Sequence, residues 1–507
     1  MKRVGSAQEM KAVDRQCIEV AGVPSFALME RAGYAVFETL TSRYDAGHSV
    51  CVVSAMGNNG ADGLVVARYL KSAGYDVRVY LMGDEERATE EMKAQLRVIR
   101  YMQIPEITTF EACDVIVDAL FGIGLCKPVR GAYASLIDDI NASGVPVVAV
   151  DIPSGIDGSS GAVLGTAVRA TDTVTFGYNK IGLLLYPGAA YAGRVRVADI
   201  GFLKGAIDAL PFSAFTYTME DLGRLPRRLK NSHKGTYGRL AVIAGSVPQA
   251  GAAYLAGFAA LKSGAGLVRL VTPSGNRTIL QSLLPEAVMS TYERFDEDLF
   301  AGIVEKATHI LMGPGLSQND VARTIVDYVC RHAVQPLVID ADGINLLETD
   351  QMEALRDKPV ILTPHPLEMQ RLCARLNQPC SSNHFETARD FADRFGVTVI
   401  LKDARTVVAA PHHPVYINTS GSDALAKGGT GDVLAGTIAG LLTQKMSIFG
   451  AACLGVYIHG LAGEVAAEKA SSCSVMASEV ATALEIIYQR AEDMPPMSST
   501  HGMYGNR

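Results

Sequence analysis

Short runs of valine and isoleucine recur along the chain, and several end at a glycine or an acid. This recurrence restricts the fold more than any other feature of the sequence. The runs at 48–54 (HSVCVVS), 76–81 (DVRVYL), 114–117 and 145–150 are apolar almost throughout. A strand with one wet face alternates polar and apolar residues, whereas a strand covered on both faces does not. Such runs suit a parallel sheet with helices on both sides, joined by right-handed crossovers. Over 211–238 (PFSAFTYTMEDLGRLPRRLKNSHKGTYG) the pattern lapses into prolines and a basic cluster. A junction is expected there, with domains at 1–222 and 223–507. The alternation then restarts. Strands are expected at 240–244, 267–271, 309–312, 336–339, 360–362 and 398–401, and helices at 252–262 and 477–491. A disordered tail is expected from Asp493.

Composition narrows the class. Lys plus Arg is 46 and Asp plus Glu is 53, a net charge of −7 that disfavours a nucleic-acid or membrane-surface binder. The nine cysteines form no Cys-x-x-Cys pair and read as small core residues of a reducing compartment. The first residues carry no apolar signal segment, and no uninterrupted apolar stretch of about 18 residues suggests a membrane span. A cytoplasmic protein is expected, and its large apolar α/β surfaces make a homo-oligomer the expected assembly.

In the second half, residues 428–436 read GGTGDVLAG. Glycines let the backbone bend and approach a ligand closely. A glycine-rich turn feeding a helix leaves N–H groups free to face an anion. Asp432 sits inside that anion hole, where a carboxylate is a poor phosphate ligand. It is a sensible general base for a hydroxyl about to attack a phosphoryl group. The plainer reading, a helix cap, suits a lone Gly-Asp better than this run. Other strand-end elements are Gly251-Ala252-Ala253, Gly313-Pro314-Gly315, Asp340-Ala341-Asp342 and Thr363-Pro364-His365-Pro366-Leu367-Glu368. His365, held between two prolines, is expected to face a substrate. Asp340 and Asp342 are read equally well as a strand-end turn. Lys402 ends a strand and can meet a phosphate as a point charge.

In the first half, three loops follow strands: 57–63 (GNNGADG), 118–125 (DALFGIGL) and 151–157 (DIPSGID). Together they offer carboxylates, a hydroxyl and amide oxygens. This is a hard-oxygen set suited to a group I or II cation.

These three loops resemble the YjeF N-terminal family, the NAD(P)H-hydrate epimerases, over about residues 1–215. The resemblance implies that Asn59, Asp118 and Ser154 hold K+. It implies that Asn58, Asn59, Gly60, Ala61 and Asp62, with Gly122, Ile123, Gly124, Leu125, Cys126, Lys127 and Pro128, bind the hydrated dinucleotide. Asp151 would contact its reactive ring. The second-half elements resemble the YjeF C-terminal family, the ADP- or ATP-dependent NAD(P)H-hydrate dehydratases, over about residues 225–490. By that resemblance Ala252, Gly315, His365 and Asp432 would contact the hydrated cofactor. Lys402, Asp403, Ala404, Arg405, Thr406 and Gly431 would bind the adenine nucleotide, with Mg2+. The implied fold class is α/β: an N-terminal Rossmann-like doubly wound sheet plus a C-terminal ribokinase-like α/β domain. The sequence departs from the family at Asp403 and Arg405, where glycines are expected, and at Leu367.

The implied function is repair of hydrated NADH and NADPH (NAD(P)HX). One half would interconvert the R and S epimers. The other would dehydrate the S form through phosphorylation of its C6 hydroxyl. Two alternatives stay open at this point. One is a ribokinase-class kinase acting on a vitamin precursor; the other makes the first half a non-catalytic binding module.

Overall fold

The computed structural model describes residues 1–496 apart from Ala112 and Ala209. Most of the tail expected from Asp493 lies outside these residues. Contacts divide the chain into two units, Arg3–Ala214 and Met1–Lys2 with Phe215–Arg507. Residues 215–222 group with the second unit because Phe215, Tyr217 and Leu222 are buried in its core.

Among the described residues, the first unit carries a seven-stranded sheet. Its order is Glu106–Ile107, Asp76–Met82, Ser49–Ala55, Val115–Ala119, Val147–Val150, Asp172–Phe176 and Arg194–Ala198. Every pairing is parallel. From Ser49–Ala55 the chain winds outward in one direction, then returns to Val115–Ala119 and winds in the other. The switch point therefore lies between these two strands, where open α/β sheets hold their ligands.

Two expectations need correction here. Residues 57–63 are not a loop: the helix Asn58–Ser72 begins directly after Gly57. Gly60 also serves packing more than ligand approach, since a methyl there would sit 1.8 Å from the Ala55 carbonyl oxygen. The helix lies so close to its strand that no side chain fits between them.

Among the described residues of the second unit, successive strands follow the order Val288–Tyr292, Leu267–Pro273, Arg239–Ile243, His309–Met312, Leu337–Ile339, Val360–Leu362, Thr398–Leu401, Val407–Ala409 and Val415–Ile417. The first seven are joined in parallel. The last two add an antiparallel meander that the sequence reading missed. The switch point lies between Arg239–Ile243 and His309–Met312. Helix Thr430–Thr443 crosses this sheet and packs on helix Ala250–Lys262. Their backbones nearly touch: a methyl on Gly436 would sit 2.2 Å from the Ala256 carbonyl oxygen.

Helix Ile448–Lys469 is long and apolar enough to cross a membrane by length and composition, yet 78% of its most apolar window is buried inside this unit. It is a core helix, apolar all round because protein surrounds it.

Candidate active sites

The first unit holds a cavity of about 770 Å³ at its switch point. The strand Val115–Ala119 delivers Asp118 to the floor beneath it. Asp118 is fully buried and takes three bonds. The Ser154 hydroxyl donates to its Oδ1 (2.6 Å), and the backbone N–H groups of Ser154 and Leu120 add 2.8 and 3.3 Å contacts. Burial pushes its carboxyl up to about 6 against these bonds. Asn59 lies close by: a methyl on Gly122 would sit 3.0 Å from its Oδ1. Its buried Nδ2 has no protein partner. The structure thus brings Asn59, Asp118, Ser154 and the loop at Gly122 together.

Asn58, Asn59, Asp62, Gly122, Ile123, Gly124, Leu125, Cys126, Lys127 and Asp151 line the cavity. Gly60 and Ala61 do not; they are buried behind the wall, and Pro128 is exposed outside it. Asp151 has a positive φ of 66°. Its Oδ1 accepts from Lys180 Nζ (2.6 Å), the Thr175 hydroxyl (3.2 Å) and the Phe176 N–H (3.2 Å). Lys180 is 1% exposed and also donates to the Thr175 hydroxyl (2.7 Å) and the Phe176 carbonyl (3.0 Å).

Sequence reasoning missed Lys180. It also missed Asp14, on helix Ala7–Arg15, which lines the same cavity. Burial first, and the charge of Asp151 second, push Asp14 up to about 6, while Lys180 pulls the other way. Burial, with Asp151 and Asp14 adding to it, raises Asp62 well above the usual carboxylate range.

In the second unit the expected turn and helix form. Gly429 takes φ 91°, a left-handed conformation open to glycine, and helix Thr430–Thr443 follows with Asp432 in its first turn. Lys402 Nζ donates to Asp340 Oδ1 (2.8 Å), which also accepts from the Thr363 hydroxyl (2.6 Å). A methyl on Gly431 would lie 3.5 Å from that ammonium. Burial alone would lower the Lys402 pKa, but Asp340, Glu368 and Asp432 together hold it raised. Burial, then the Asp340 charge, pushes half-buried Asp432 up to about 7.

Across the switch point Gly315 touches Ala252; a methyl on Gly315 would lie 2.8 Å from the Ala252 Cβ. His365 caps helix Pro366–Arg375, its ring accepting from the Leu367 and Glu368 N–H groups (3.2 and 3.4 Å). Half its side chain stays exposed. Asp403, Ala404, Arg405 and Thr406 form the turn between strands Thr398–Leu401 and Val407–Ala409. His384 holds the Asp403 carboxylate at 3.0 Å, and that bond keeps its pKa below the usual range.

A family model described as NAD(P)H-hydrate dehydratase matches residues 240–485, and one described as YjeF-related protein N-terminus matches residues 25–182. The bifunctional NAD(P)H-hydrate repair enzyme Nnr of Moorella thermoacetica is 35% identical, over 96% of this chain and 97% of that one. Its namesake from Thermofilum pendens is 36% identical, over 92% of each. A Bacillus subtilis ADP/ATP-dependent NAD(P)H-hydrate dehydratase co-crystallized with ATP/Mg2+ is 32% identical. It covers 54% of this chain and 98% of its own, with a TM-score of 0.47.

Proposed function

This chain belongs to the family of bifunctional NAD(P)H-hydrate repair enzymes, and from that premise we propose how it restores hydrated NADH and NADPH. The first domain, within residues 1–222, interconverts the R and S epimers at C6 of the nicotinamide ring. The ribokinase-like second domain, within residues 223–507, takes the S epimer with ADP or ATP. It phosphorylates the C6 hydroxyl, and loss of phosphate regenerates the reduced ring.

The observation that carries this reading is the setting of Asp432. It stands in the first turn of a glycine-capped helix, and its carboxyl is raised to about 7, near working pH. A carboxylate so placed takes the hydroxyl proton as the oxygen attacks phosphorus. First-turn N–H groups of a helix lack intrahelical acceptors and steady charge on the phosphoryl oxygens. Lys402 and Gly431 face the phosphates, and the turn at Asp403, Ala404, Arg405 and Thr406 holds the nucleotide. Ala252, Gly315 and His365 hold the hydrated ring and its dinucleotide.

Asn59, Asp118 and Ser154 suit a monovalent cation such as K+. They present hard oxygens around one buried carboxylate, so a single positive charge balances the set. Bound there, K+ would fix the loops that orient the ring. Mg2+ would arrive with the nucleotide phosphates, whose charge it neutralises. The cavity wall formed by Asn58, Asp62, Gly122, Ile123, Gly124, Leu125, Cys126 and Lys127 binds the dinucleotide.

The test supplies the full chain with pure R or pure S hydrate of NADH, with and without ADP or ATP. R should become S without nucleotide, and absorbance of the reduced ring should return only with it. A stable phosphorylated product without recovery of the ring would make the second unit a kinase and end this reading.

A further inference from the structure

Resting on the epimerase reading of the first unit, we propose that Asp14 is the catalytic acid of epimerisation, with Asp151 as the base that receives the proton. Asp14 belongs to no motif used so far. Its helix, Ala7–Arg15, is fixed by a capping box in which the Glu9 N–H donates to Ser6 Oγ and the Ser6 N–H to Glu9 Oε2. Met10 and Asp14 lie four apart on this helix, Ile18 follows in the π-helical turn Gln16–Val20, and all three line the cavity. Among the described residues the Asp14 carboxyl has no hydrogen-bond or ion-pair partner. The protein has brought an acid to the substrate space and left its oxygens unused.

The groups around it come from several elements. Asp62 stands on helix Asn58–Ser72, Asp151 follows strand Val147–Val150, and Lys180 ends the short strand Asn179–Lys180. Lys11, Glu91 and Lys127 complete the charged part of the wall. The bonds to Asp151 all fall on Oδ1, so among the described residues its Oδ2 has no protein partner. One carboxyl is thus poised to give a proton and another has an oxygen free to take one. Two carboxyls on one cavity wall, one unbonded and one held through a single oxygen, can take opposite proton-transfer roles.

The hydrated ring is a carbinolamine, with the C6 hydroxyl next to N1. Asp14 gives its proton to that hydroxyl. The C6–O bond breaks, water leaves, and the N1 lone pair forms a C6=N1 iminium. A water on the opposite face adds to C6, the π electrons return to N1, and the surplus proton goes to Asp151. One water leaves and one enters, and the proton lost by Asp14 is the one gained by Asp151. Exchange with solvent through the open cavity resets both groups.

The experiment uses the full chain and pure R hydrate of NADH, with R-to-S exchange followed by NMR. Asp14→Asn should lower kcat by about 10²- to 10⁴-fold with KM changed little. Nucleotide-dependent dehydration of the S hydrate by the same variant should stay at the wild-type rate, which reports that the chain is folded. The wild-type exchange rate should fall as pH rises above about 6, where protonated Asp14 is lost, and this limb should vanish in the variant. If Asp14→Asn does not fold, Asp14→Glu decides: a displaced limb with reduced kcat supports the role, and an unchanged limb overturns it. Wild-type exchange by Asp14→Asn, or a rise in KM alone, overturns the assignment and leaves the epimerase reading standing. Absence of exchange in the wild type removes the epimerase reading and this role with it.

Discussion

Each unit sets a lysine against an aspartate beyond the end of a parallel strand, but the two lysines are used differently. Lys180 is 1% exposed, and its ammonium is fixed by Asp151, Thr175 and the Phe176 carbonyl. All its hydrogens are spoken for, so it acts as a permanent counter-ion. Lys402 is 19% exposed, bonds one carboxylate and feels two more, Glu368 and Asp432. Such a cation can turn from Asp340 toward an arriving phosphate. The number of fixed partners, not the residue pair, separates a lysine locked in place from one left able to turn.

The largest effect tests whether the second site depends on its carboxylate. Asp432→Asn should lower nucleotide-dependent dehydration by about 10²- to 10⁴-fold or more and leave R-to-S exchange at the wild-type rate. Assaying both reactions on one preparation checks it. Loss of both together would mean the two sites are not separable and would break the comparison.

Next comes the contrast between the lysines. Lys180→Met strands the Asp151 charge in a buried setting and should destabilise the first unit by about 3–5 kcal/mol. Lys402→Met likewise strands a buried carboxylate, since Asp340 is 1% exposed and keeps only the Thr363 hydroxyl. It should cost the second unit a similar amount, about 3–5 kcal/mol. It should also raise KM for the nucleotide, which Lys180→Met should not. Urea unfolding of the full chain, read by probes placed in each unit, and nucleotide kinetics measure the two effects. An unchanged KM in Lys402→Met would mean Lys402 is as fixed as Lys180.

Much of this was legible in the sequence because it lies in local patterns. The strands His309–Met312, Val360–Leu362 and Thr398–Leu401 fall on the residues expected from their apolar runs. The Gly-Gly-Thr-Gly-Asp turn is a local feature too, since glycine at 429 permits the left-handed cap. What was not legible depends on contacts made far along the chain. Strand Asp172–Phe176 (DTVTF) reads as half-exposed, yet Thr173 and Thr175 are fully buried because their hydroxyls find Ala192 and Asp151. With that strand unseen, nothing local marks Lys180 as the partner of Asp151. Asp14 lies in no glycine-rich or strand-end motif, and the cavity it lines is formed by segments distant in the chain. Gly60 was read as a ligand-approach glycine because sequence does not reveal which carbonyl lies behind it.

The two half-buried acids should also give opposite pH slopes. With Asp432 in its proposed role as base, kcat/KM for dehydration should rise about tenfold per unit below pH 7 and level off above it. Exchange in the first unit should fall above about pH 6, where Asp14 loses its proton. Parallel slopes in the two assays would show that one of these acids has been given the wrong role.

The smallest effect asks what the second site costs the fold. The Asp432 carboxyl has a folded value of about 7 against an ordinary 3.8, so the folded chain holds its proton more tightly than the unfolded one. Stability is then fullest below about pH 4, declines as pH rises toward 7, and is flat above that. Asparagine cannot ionise and escapes the decline, though Lys402 loses one of the three carboxylates that favour its charge. The net gain for Asp432→Asn at pH 8 is set at about 1–2 kcal/mol, because the side chain is only half-buried. Thermal melting of the second unit should rise by about 2–4 °C per kcal/mol, and the gain should disappear below about pH 4. A dead enzyme that melts higher would mean that this carboxylate is held against the preference of the fold. A variant that melts lower at every pH would mean that Asp432 pairs with Lys402 to support the structure, and that the two lysines are alike after all.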